Sequence, residues 1–176
     1  MRSSLVTLAL LPVAAAPVAA KHHQSPAANL GVSAAGAHWK TAHDYLVRAA
    51  EQAPDSLYAF KPTADVRSLG QLFGHVANAE YMFCGMILGE SVQRENVERT
   101  KTAKADLVAA LKSSGEYCDR AYAMNDAAAA AMVNVFGTQR TKLYALTMNA
   151  IHDWEHYGNV VTYLRLKGLV PPSSQR

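Results

Sequence analysis

From Leu69 to Leu88 the chain sets Leu72, Phe73, Val76, Phe83, Met86 and Ile87 at three- and four-residue spacing, which gathers apolar side chains on one face of a helix. Ser68-Leu-Gly-Gln71 fits a capping box at its start. Three further segments read as helices. One runs from about His38 to Ala53 and ends before Pro54, since proline disfavours helical geometry in the residue preceding it. Another covers about Lys101 to Met124, with Leu107, Val108, Leu111, Cys118, Ala121 and Tyr122 on its buried side. The last runs from about Gln139 to Lys167 and is closed by Gly168 and Pro171-Pro172. The Ala127 to Ala131 run predicts a short extra helix before Gly137. No segment reads as a strand, and amphipathic helices without a sheet bury their stripes against one another. The expected fold class is all-α, a four-helix bundle.

The start of the chain follows another logic. Met1-Arg2 supplies positive charge, Leu5 to Ala20 is apolar, and Val18-Ala19-Ala20 offers small residues before Lys21, the pattern of a secretory signal over residues 1–20. Pro12 and Pro17 interrupt the apolar run, and a bilayer span takes about 20 uninterrupted apolar residues. A secreted or periplasmic protein without a stable membrane anchor is therefore expected. Residues 21–36 mix small and polar residues with Pro and Gly and show no period, which reads as a flexible leader. The bundle is expected over residues 37–172, with a short tail at 173–176. Cleavage would remove Arg2 and leave 16 basic against 14 acidic residues, a near balance that argues against nucleic acid as a partner. A small-molecule substrate and a homodimer are both compatible with this composition.

Chemistry concentrates at His152-Asp-Trp-Glu-His156 in the last helical segment. Residues at i and i+4 share a helix face about 6 Å apart along the axis, so both imidazoles can reach one metal ion. His75 lies in the second segment; if those helices pack side by side, three neutral imidazoles converge and leave coordination positions open, as in a reactive metal centre. Imidazoles suit zinc, nickel or iron, and copper as well. His152-x-x-Glu155-His156 also spells the pattern of inverted zinc proteases. Those enzymes need a further acidic ligand downstream, and no Asp or Glu follows Glu155. Glu155 then reads as a solvated carboxylate or a general base acting through water. Helical phase places Met148, Asn149, Asn159 and Tyr163 near His152 and His156, and Gln71, Asn78 and Met82 near His75; these form either a set of site-supporting groups or a polar rim on a seam. His38 and His43 have no partner visible in the sequence, and His22 and His23 fall in the leader.

Leu69-Gly-Gln-Leu-Phe-Gly-His75-Val-Ala-Asn-Ala, preceded by Phe60-Lys-Pro-Thr-Ala-Asp-Val-Arg67, and His152-Asp-Trp-Glu-His156-Tyr-Gly158-Asn159 together resemble the DinB-like (damage-inducible, YfiT-type) four-helix bundle family over about Ala37 to Pro172. In that family one histidine of the second helix and two of the fourth bind a divalent metal, which implies His75, His152 and His156 as ligands here. The resemblance also implies an up-down-down-up topology with a crossover joining parallel second and third helices. Residues 89 to 100 suit that crossover, since about 12 residues reach roughly 40 Å and a 20-residue helix is about 30 Å long. The family pattern after the final histidine is Arg-Gly-Gln, whereas this chain has Tyr157-Gly158-Asn159, a departure that leaves the ligands intact but not the substrate role of that Arg or Gln; Glu155 and Asn159 are the candidate catalytic residues.

Cys84 and Cys118 are not obvious ligands. In an exported protein an even pair reads as a disulfide, and the two positions fall at similar depths if the second and third helices are parallel; two separate buried thiols are the alternative. Family relatives include metal-dependent thiol transferases and hydrolases. The competing class is a non-catalytic metal-binding or interaction bundle.

Overall fold

A computed structural model describes residues 29–91 and 95–175; the expected signal segment, with His22 and His23, lies outside them. The order is α1 (Leu30–Gln52), α2 (Leu69–Leu88), α3 (Val97–Thr100), α4 (Lys104–Tyr122), α5 (Asp126–Ala129), β1 (Met132–Val135), β2 (Thr138–Thr141) and α6 (Lys142–Leu166). Sequence signals account for most boundaries. Ser68 and Gln71 form the expected capping box of α2, and Gly89 ends that helix in the left-handed region at φ 74°. Gly168, also at φ 74°, follows the end of α6.

Three boundaries differ from expectation. Helix α1 begins at Leu30 rather than near His38, so the last part of the segment read as leader is helical, with Val32 and Ala35 buried. Its first turn is held from far along the chain: the Asp126 carboxylate accepts the N–H groups of Gly31 at 3.0 Å and Val32 at 2.8 Å, a cap that no local pattern reveals. The second difference is a hairpin, β1 paired antiparallel with β2, where no strand was expected. Its tip, Phe136-Gly137, takes φ 49° and φ 87°, values usually supplied by Asn-Gly or Asp-Gly, and the two strands are too short to show a period. The hairpin takes the first three residues expected in the last helix, which starts at Lys142.

The topology is up-down-down-up. Helix α1 packs on α4 and α6, and α2 packs on the same two. Contacts run in opposite chain order between α2 and α6, where Cys84 faces Asn149 and His75 faces His152. They run in the same order between α2 and α4, where Cys84 joins Cys118 and Glu80 meets Ser114. The connection between these parallel helices returns along α2, so closely that a Cβ on Gly74 would fall 2.8 Å from Glu98 Cα.

Two apolar clusters fill the bundle. One gathers Leu46, Phe73, Val76, Leu107, Leu111 and Leu164, the other Trp39, Ile87, Ala121 and Leu146 with the two cysteines. Between them each main helix contributes a buried polar residue to one layer: His43, Glu80, Ser114 and Asp153. Cys84 and Cys118 form a disulfide with 5.3 Å between Cα atoms, so the bonded alternative holds. Reducing it is expected to lower stability by about 2–4 kcal/mol, read as a lower urea midpoint with reductant than without. Detection of free thiols in the denatured, unreduced protein would contradict the bond.

Candidate metal centre

His75 on α2 meets His152 and His156 on the neighbouring antiparallel α6. Helical geometry brings the α6 pair to one face a turn apart, and the α2–α6 seam adds the third ring. The Nε2 atom of His152 lies 3.2 Å from that of His75 and 3.1 Å from that of His156. The three rings meet edge to face or tilted, with centroids 4.3–5.1 Å apart. His156 is buried and the other two are half-buried.

One partner fixes the tautomer of His75. Its Nδ1 lies 3.0 Å from Glu98 Oε2, and Glu98 Oε1 accepts from Arg67 Nε at 2.8 Å. Burial opposes ionisation of Glu98, but hydrogen bonds from Arg67 and His75 hold its carboxyl below the ordinary range. A carboxylate only accepts, so His75 Nδ1 carries a proton, and the neutral form of this imidazole has its lone pair on Nε2. Burial, reinforced by the neighbouring histidines, pushes both His152 and His156 down to about 4. Both are thus neutral at physiological pH.

This arrangement fits a cation better than it fits itself. With His75 Nε2 a bare acceptor, His152 Nε2 must donate in that contact and cannot then accept from His156, so one proton serves two contacts at best. A divalent ion among the three nitrogens would use every lone pair at once. His75, His152 and His156 therefore form a group that can hold a metal ion.

Beside the centre is a surface cavity of about 680 Å³, lined by His156, Asn159, Tyr163, Arg67, Gln71 and Glu98 among others. Asn159 lines this cavity, whereas Glu155 is exposed and does not. Tyr163 donates to the Arg67 carbonyl at 2.7 Å. Other residues placed near the histidines by helical phase do different work. Asn78 braces the crossover through Asn96 and the Val97 N–H, Gln71 caps α2, and Asn149 is buried against Tyr122. Met82 is exposed.

Sequence reasoning missed Glu98 and Arg67, which come from connections where helical phase gives no guidance. It also left His43 without a partner. The structure supplies Glu80, whose Oε1 lies 2.8 Å from His43 Nδ1 and accepts from Trp39 Nε1 at 3.0 Å, while its Oε2 accepts from Ser114. A signal existed, since Glu80 is the one Asp, Glu, Lys or Arg residue of α2. His38 is exposed.

The sequence profile of the DinB superfamily matches residues 38–160. The crystal structure of a DinB-like protein from Bacillus cereus ATCC 10987 is similar, with a TM-score of 0.70 and 15% identity over 80% of this chain and 95% of that one. At that identity the likeness is one of fold. The comparison with curated proteins finds no match.

Proposed function

Because the chain belongs to the DinB superfamily, we propose that it is an exported metal-dependent enzyme, a hydrolase or thiol transferase, whose divalent ion is held by His75, His152 and His156. The observation that carries the reading is the meeting of three Nε2 atoms beside an open cavity. A divalent ion there would activate water or a thiol near neutral pH. The chain's own groups would do the rest. Glu98 keeps the His75 lone pair directed at the centre, and Arg67 holds Glu98 in place. Asn159 offers an amide to a substrate in the cavity, where the family pattern has glutamine. Hydrolysis is favoured over thiol transfer by the Met1 to Ala20 pattern, because export separates the protein from low-molecular-weight cytosolic thiols.

The test is elemental analysis of untagged protein, followed by assay on an ester, amide and thiol-acceptor panel. Turnover should vanish on chelation and return with one divalent metal, and Asn159→Ala should lower it without changing metal content. Full metal occupancy with no turnover on any substrate would leave a metal-binding bundle. A mature N-terminus at or near Lys21 would support export, and retention of Met1 on a cytoplasmic species would reject it.

A further inference from the structure

The polar layer between the two apolar clusters contains a second set of convergent donors. His43 from α1, Glu80 from α2 and Asp153 from α6 each place a ligand atom within 4.8 Å of the others, and all three are buried. Ser114 of α4, bonded to Glu80, completes a ring drawn from all four long helices. Glu80 has N–H and O–H donors, but Asp153 has none: its oxygens are buried without such a donor, and it can pair with the Glu80 carboxyl only by holding a proton. A fully buried carboxyl in that condition is costly, and here it faces a histidine and a second carboxyl.

We propose that His43, Glu80 and Asp153 form a second metal site at the axis of the bundle, taking a divalent cation that prefers oxygen donors, such as Mn(II) or Fe(II). Donors bound to one ion at about 2.0–2.2 Å stand roughly 3–4 Å apart, which the cluster reaches with small side-chain shifts. Two carboxylates balance a dipositive ion, so occupancy adds no net charge to the core. One imidazole with two carboxylates is a harder set than three imidazoles, so the two centres prefer different ions.

A surface cavity of about 510 Å³ reaches the histidine of the cluster: it is lined by His43 itself with Gly115, and its acidic residues Asp44, Glu116 and Asp119 are matched by the basic Lys40, Arg48 and Lys112. Gly115 makes room for the ring, since a Cβ there would fall 2.3 Å from His43 Nε2. The imidazole of His152 lies between the two centres. Its Nε2 faces the other histidines, and its Nδ1 is 3.8 Å from Asp153 Oδ1.

The inference stands apart from any enzymatic role and is tested without one. The His75→Ala/His156→Ala chain, stripped of metal and titrated with Mn(II), should bind one equivalent, read as loss of the free-ion signal in electron paramagnetic resonance. Adding Asp153→Asn or Gly115→Ala should weaken that binding by about 10-fold or more, with circular dichroism confirming that each variant is folded. No bound Mn(II) or Fe(II) in the starting variant, or unchanged binding after Asp153→Asn, would overturn the proposal. Wild-type crystals soaked in Mn(II) give a check free of variants: an anomalous peak within bonding distance of the Asp153 carboxylate supports the site, and its absence refutes it.

Discussion

Replacing His152 and His156 together by alanine is expected to remove one equivalent of tightly bound zinc or nickel per chain while the helical circular dichroism signal stays at the wild-type level. The two residues supply two of the three converging nitrogens, and a single remaining imidazole does not hold an ion against dialysis. The fold survives because its stability comes from elsewhere. Leu46, Leu69, Leu107, Leu111, Leu146 and Leu164 are fully buried, each contributing about 1.5–3 kcal/mol. Glu98→Ala should act more mildly, weakening metal binding by roughly 10–100-fold through loss of the group that orients His75. Elemental analysis after exhaustive dialysis decides the matter, and equal metal content in wild type and double variant would remove the three-histidine assignment.

The largest stability effect is expected at Glu80. Burial alone would favour the neutral form of both Glu80 and His43. Their mutual attraction, with donors from Ser114 and Trp39, overrides it, raising His43 above its ordinary value of 6.5 and lowering Glu80 below 4.5. A raised histidine contributes stability that is complete below its unfolded value and is lost as pH climbs through the folded one. A lowered carboxyl contributes stability present above its unfolded value and lost as pH falls through the folded one. Both contributions are therefore complete between pH 4.5 and 6.5. Asp153, pushed well upward by burial and by the Glu80 charge, favours the same acidic side of neutrality. In that window Glu80→Gln should cost about 3–5 kcal/mol, because it leaves the His43 charge buried without its counterion. The loss should shrink in alkaline solution, where His43 gives up its proton. Urea unfolding of metal-free wild type and variant at several pH values would show this, and a loss independent of pH would exclude the ion pair.

The sequence was most informative where one helix carries its own evidence. The Leu72 to Ile87 stripe, the Ser68 box and the Gly168 stop are local signals, and the helices they define are present. His152 and His156 were legible as a pair for the same reason; His75 was a third candidate from its place in the second helical segment, and the family resemblance implied it as a ligand. What escaped was decided between elements. The start of α1 depends on Asp126, the orientation of His75 on Glu98, and the charge of His43 on Glu80. The hairpin escaped because its strands are four residues each and its turn uses phenylalanine where asparagine is usual.

The disulfide also bears on the order of assembly. Cys84 and Cys118 are 34 residues apart and both precede α6, and a chain is synthesised from its N-terminus. The covalent link between α2 and α4 can therefore close while the last helix has yet to appear, setting the parallel register of that pair beforehand. In that order helix α6 would dock onto a wall that already displays His75 and bring the other two histidines with it. A nascent or truncated chain lacking α6 would have both cysteines of the cross-link but one ligand of three, so ion capture at the histidine centre would report that the whole bundle has been completed.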